Sequence, residues 1–144
     1  MTAKEYLIQI RKLNSQIKNK KLELENLTYQ MTGSRALSFT DKPPTVSKSI
    51  KSPQEKFIYK YLKYEQEIKS DIAKLLDLKK EVMQMIDRIG DSSCVDLLYR
   101  RYIHCQSWKQ ISAEMNYNHQ YIFQLHSKAL RLFDEVLTKS YFLM

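Results

Sequence analysis

Residues 97–133 read LLYRRYIHCQSWKQISAEMNYNHQYIFQLHSKALRLF, and this stretch decides the fold. Leu97, Leu98 and Tyr102 fall on one side of a helix that Asp91, Ser92 and Ser93 can open and that runs to about His104. A short break at Cys105–Gln106 precedes Ser107, a second capping residue, and a helix over Trp108–Met115. Asn116 and Tyr117 form a turn, and Asn118 is a third cap that opens a longer helix to about Leu137. A short helix, a tight break and a second capped helix make up the helix-turn-helix pattern. Ile111, Met115, Tyr117, Ile122 and Leu125 are spaced to pack the two helices together, and Ala129, Leu130 and Phe133 to return the packing to the first.

Working outward, the preceding 90 residues carry a different periodicity. Tyr6, Ile10, Leu13, Ile17, Leu24, Leu27 and Met31 recur at steps of four and three, interrupted only by Lys20. This is a coiled-coil seam, and it predicts a helix over residues 2–32, about 45 Å long. Thr2 and Glu5 form a capping box, and Gly33 is the expected stop. The rhythm resumes after Ser52 and Pro53 in Phe57, Tyr61, Tyr64, Ile68, Leu75, Leu78, Val82, Met85 and Ile89, with Asp71 the only interruption and Gly90 the end. Between the two seams lie residues 33–53, which contain all three prolines and a net charge of +3, from four basic residues against one acidic. That segment is expected to be a basic loop, with Arg35, Lys42, Lys48 and Lys51 able to follow a phosphate backbone or simply to be solvated. The expected fold is therefore all-α: a long antiparallel helical hairpin over 1–90, then the helix-turn-helix module over 91–144. Leu7, Leu22, Leu76, Met83 and Ile86 lie off the seam, which favours a homodimer whose second hairpin would cover them.

The run over 97–133 is similar to region four of the sigma-70 family, and closer still to small phage-encoded regulators of Gram-positive hosts that share this module. The resemblance rests on Leu97 to Tyr102, on Ser107-Trp108-Lys109-Gln110-Ile111-Ser112, on the turn Met115-Asn116-Tyr117-Asn118, and on His126-Ser127-Lys128-Ala129-Leu130. It covers about 40 of the 144 residues. Asn116 stands where the family has a turn glycine, and asparagine accepts a left-handed backbone better than most residues. Carried over by position, the resemblance implies that His119, Gln120, Tyr121, Phe123, Gln124 and Lys128 face DNA. Lys109, Arg100 and Arg101 would contact the backbone. It further implies a transcription regulator in the cytoplasm of a bacterial host, with double-stranded DNA as its partner. The alternative is a protein-interaction module or inhibitor that binds RNA polymerase or another host protein.

Charge tempers the first of these. The chain carries +8 overall with a pI near 9.4, yet residues 90–144 hold six basic and five acidic residues, a net of only +1. The recognition helix lacks the arginines and lysines that usually dominate DNA affinity. Glutamine can still read adenine through two hydrogen bonds. Cys94 and Cys105 are too few for a disulfide framework, and with His104, His119 and His126 they fit no zinc spacing, so no metal is expected. Cys94 sits where a small core residue belongs. Two glycines exclude a phosphate-binding glycine loop, and no nucleophile–base pattern is present, so neither cofactor nor catalysis is expected. No apolar run approaches a membrane span, and the N-terminus lacks a signal core, so a soluble protein is expected.

Overall fold

The computed structural model describes residues 1–38 and 52–142. Of these, 89% are helical and none lies in a strand. The helices are α1 (Ala3–Ser38), α2 (Pro53–Asp87), α3 (Ser92–Leu98), α4 (Trp108–Met115) and α5 (His119–Phe142), and α3 passes into a π-helical turn over Tyr99–Ile103. Most of the expected basic loop, residues 39–51, lies outside the described residues.

Local chemistry accounts for the helix starts. Thr2 and Glu5 cap α1 reciprocally: the Thr2 N–H donates to Glu5 Oε2 at 3.0 Å, and the Glu5 N–H donates to Thr2 Oγ1 at 3.2 Å. The Glu55 N–H donates to Ser52 Oγ at the start of α2, where Pro53 occupies the first helical position without losing a needed donor. Gly33 does not end α1, which continues to Ser38. A glycine costs only about 1 kcal/mol inside a helix, and the following Arg35, Ala36 and Leu37 are strong helix formers. Gly90 does not end α2 directly: the helix stops at Asp87, and Gly90 follows a turn over residues 88–89, with φ of 87° directly before the Asp91 cap.

The chain divides into two compact units, one comprising Met1–Asn14 with Lys74–Met144 and the other Ser15–Ala73. In the second unit α1 and α2 run in opposite directions. Lys20 meets Asp71 and Glu67, while Leu27 and Gln30 share a groove with Lys60 and Tyr64. Ile17 and Ile68 are buried there.

The first unit has the larger core. Leu7 and Ile10 of α1, Val82 and Ile86 of α2, Leu97 and Leu98 of α3, Ile111 of α4 and Ile122 and Phe133 of α5 are completely buried. The Ala3 N–H donates to Asp134 Oδ1 at 3.1 Å, and the Tyr6 and Phe133 rings lie 6.0 Å apart. Arg11 Nη1 donates to the Arg101 carbonyl at 3.0 Å. These contacts bring the first turns of α1 onto α5 and the π-helical turn. They correct one expectation: Leu7 and Ile86 are covered within this unit and need no second subunit. Leu22, Leu76 and Met83 do remain exposed.

Candidate nucleic-acid interface

Asp91 Oδ1 accepts hydrogen bonds from the Ser93 and Cys94 N–H groups and starts α3. The α-helical pattern was expected to reach His104, but it ends at Leu98, and the His104 N–H donates to the Tyr99 carbonyl five residues back. Tyr102 and Ile103 are both buried within this wide turn. Cys105 then turns the chain with φ of 56°, an uncommon conformation for a residue with a side chain. The Ser107 hydroxyl accepts from the Gln110 N–H at 3.1 Å and opens α4.

Asn116 closes α4 in the left-handed conformation, φ 61° and ψ 39°. The Ser112 hydroxyl donates to the Tyr117 carbonyl and ties α4 to the turn. Asn118 Oδ1 accepts from the Tyr121 N–H at 2.8 Å and starts α5, which extends to Phe142, beyond the expected end near Leu137. Ile111, Ile122 and Ala129 are buried completely and Leu125 nearly so, whereas Met115, Tyr117 and Leu130 are only half-buried. Cys94 is fully buried, and its burial pushes the thiol pKa upward, as suits an inert core residue.

The interior of this helix set holds a polar cluster. The Tyr102 hydroxyl and His126 Nε2 share a hydrogen bond of 2.7 Å, and both side chains are buried. Burial, with Lys4 and Arg101 adding like-charge repulsion, lowers the His126 pKa to about 4. His126 is therefore neutral at physiological pH. Trp108 stands edge-on to His126, with ring centroids 4.7 Å apart, and edge-on to Phe123 at 5.3 Å. The Arg101 guanidinium lies 4.2 Å over the Trp108 ring, and its Nη1 donates to the Gln106 carbonyl at 2.9 Å.

The cations proposed for backbone contact are largely committed. Arg100 pairs with Asp96 at 3.2 Å and Glu114 at 3.1 Å, and the Asp96 hydrogen bond raises its pKa. Arg101 is occupied by Trp108 and Gln106. Lys128 Nζ donates to Asp91 Oδ2 at 2.9 Å, which raises the lysine pKa and lowers that of the aspartate. Lys109 is exposed on α4 and makes no ion pair among the described residues.

The residues carried over to the recognition position, in contrast, point outward together. His119, Gln120, Tyr121, Phe123 and Gln124 are all exposed on the first two turns of α5. The buried positions of that helix, Ile122, Leu125, His126, Ala129 and Phe133, occupy one side, so Gln120, Gln124, Ser127 and Arg131 form the stripe directly opposite. Arg131 is exposed, and the four-three spacing that places it in line with the two glutamines is legible in the sequence. Among the described residues no cluster of histidine, cysteine and carboxylate could hold a metal ion. No described helix is long and apolar enough to cross a membrane. The chain matches no family model, and neither a curated protein nor a solved structure matches it.

Proposed function

We propose that this chain is a sequence-specific DNA-binding transcription regulator of the phage type. In this reading α4, the Asn116 turn and α5 form a helix-turn-helix similar to sigma-70 region four, and α5 enters the major groove. One observation carries it. A capped α4 and a capped α5 are joined by a left-handed Asn116, and they bury Ile111 and Ile122 while leaving His119, Gln120, Tyr121, Phe123 and Gln124 exposed on a single helix start. The half-exposed Tyr121 and Phe123 offer apolar surface that a major groove can accept. Lys109 and Arg131 supply backbone contacts beside them. In this scheme α1 and α2 form an antiparallel hairpin, and the apolar Leu22, Leu76 and Met83 that it leaves exposed meet a second copy.

Fluorescence anisotropy against random duplexes and against duplexes selected from a random pool, at two salt concentrations, tests this. Selective binding that weakens steeply with salt is expected, and so is loss of selectivity in the Gln120→Ala, Gln124→Ala double variant with unchanged helicity. Weak binding without selectivity would refute it.

The pairing of Arg100 and Lys128 with carboxylates favours a second reading, in which the chain binds a protein such as RNA polymerase and has little DNA selectivity of its own. Purified RNA polymerase would then bind the intact chain. Leu76→Asp or Met83→Asp would impair that binding, and the glutamine substitutions would not.

A further inference from the structure

We infer that the exposed face of α5 is built to read A·T base pairs, and that Gln120, Gln124 and Phe123 are the residues that read them. This inference rests on the DNA-binding function proposed above.

The argument is one of available chemistry. Each base pair shows a distinct edge in the major groove. Guanine is read chiefly by arginine or lysine at O6 and N7, and cytosine by a carboxylate accepting from N4. Adenine is read by a glutamine or asparagine amide at N6 and N7, and thymine by an apolar group against its C5-methyl. Residues 119–127 of α5, His-Gln-Tyr-Ile-Phe-Gln-Leu-His-Ser, contain no arginine, lysine, aspartate or glutamate. The next residue, Lys128, is bonded at 2.9 Å to Asp91, the residue that caps α3. The usual readers of a G·C pair are thus missing from residues 119–127, and Arg131, two turns beyond Gln124 on the same stripe, is assigned to the phosphate backbone.

The readers of an A·T pair are present and aimed. Gln120 and Gln124 are one helical turn apart, about 6 Å along the axis. They lie on the side of α5 opposite its buried residues, and neither amide has a hydrogen-bond partner among the described residues. Each can present a donor and an acceptor together. Phe123 sits beside Gln124, half exposed at 48%, and its ring is held edge-on by Trp108 at 5.3 Å. Trp108 is in turn fixed by His126 and Arg101. An apolar ring fixed in this way offers a rigid surface to a methyl group at little cost in side-chain entropy. Tyr121, on the other flank, packs against Tyr117 with centroids 4.6 Å apart and leaves the two glutamines room between aromatic walls.

Selection of binding sites from a random duplex pool by the intact chain tests the inference, followed by titration of the selected duplex with single-atom changes. A core of A·T pairs is expected. Replacing its thymines by uracil removes only the C5-methyl and should weaken binding several-fold. Replacing its adenines by 7-deazaadenine removes N7 and should weaken it roughly 5- to 100-fold. Gln120→Ala and Gln124→Ala should each abolish the response to 7-deazaadenine at one position, and Phe123→Leu should reduce the response to uracil. The base replacements leave the protein untouched, so they stand even where a variant folds poorly. A core of G·C pairs, or salt-dependent binding without preference, would overturn this inference and leave the DNA-binding function intact. An A·T core indifferent to both replacements would also overturn it, because shape and not base edges would then be read. Failure to bind any duplex would overturn the inference and the proposed function together.

Discussion

Lys20 and Asp71, the only residues that interrupt the two apolar seams of the first 90 residues, are bonded to each other at 2.6 Å. Asp71 is nearly buried and Lys20 partly so, and the Asp71 hydrogen bond raises the lysine pKa. A polar pair at a seam costs stability against an apolar one, yet it penalises every alignment of the helices in which the two do not meet.

Lys20→Met alone should therefore destabilise the chain by roughly 1–3 kcal/mol, since it leaves the Asp71 carboxylate nearly buried with no cation beside it. Lys20→Met with Asp71→Leu should recover that loss or exceed the starting stability. Urea titrations followed by circular dichroism measure both. A double variant no better than the single one would show that the unpaired Asp71 carboxylate is not the source of the loss.

His126 gives the fold an acid limit. Its pKa falls from 6.5 in the unfolded chain to about 4 in the folded one. A histidine depressed in this way stabilises the fold above pH 6.5, and the contribution is lost as pH falls from 6.5 towards 4, because the unfolded state binds the proton first. Stability should drop by a few kcal/mol across that window, and His126→Gln should flatten the dependence. Tyr102→Phe should cost about 1–3 kcal/mol at pH 7 by orphaning the His126 nitrogen. Unfolding midpoints at pH 7, 5.5 and 4 decide the matter. A wild-type midpoint that does not move between pH 7 and 4 would refute it.

The features legible in the sequence were those whose causes are local. Thr2 with Glu5, Ser52, Asp91, Ser107 and Asn118 each cap a helix through an atom two or three residues from the N–H they bond, so a window of four residues contains the whole interaction. Asn116 was equally legible, since few residues accept its φ. The π-helical turn was not, because no local preference in Tyr99–Ile103 announces a hydrogen bond that spans five residues. Nor was the engagement of Lys128 by Asp91, which lies 37 residues away in the chain. Leu7 and Ile86 looked uncovered for the same reason. A seam drawn on two helices cannot show that α5 lies against the first turns of α1.

Asn116 allows a test of the turn's backbone conformation. Its φ of 61° and ψ of 39° suit glycine better than any residue with a side chain, and it is exposed. Asn116→Gly should change stability by less than about 1 kcal/mol, the relief of the left-handed backbone being offset by the looser unfolded chain. Asn116→Val should cost more than about 1 kcal/mol, because a β-branched side chain is poorly tolerated there. Thermal unfolding of the two variants side by side separates them, and a valine variant as stable as the asparagine would place the turn in some other conformation.

The bond between Asp91 and Lys128 offers a test of the proposed DNA contact. Asp91 caps α3 with Oδ1 and holds Lys128 with Oδ2, so its two oxygens serve separate purposes. Asparagine caps a helix as well as aspartate, but its amide nitrogen cannot hold a lysine. Asp91→Asn should therefore keep α3 intact and release Lys128, one turn beyond Gln124, to reach a phosphate. If α5 lies in the major groove, duplex binding should tighten, and the slope of log affinity against log salt should steepen by about one. Lys128→Ala in the same background should cancel both changes, while Lys128→Ala in the wild type should alter DNA binding little. Anisotropy titrations over a series of salt concentrations give the slopes directly. An Asp91→Asn variant with native helicity and an unchanged slope would mean that α5 does not present Lys128 to a phosphate backbone.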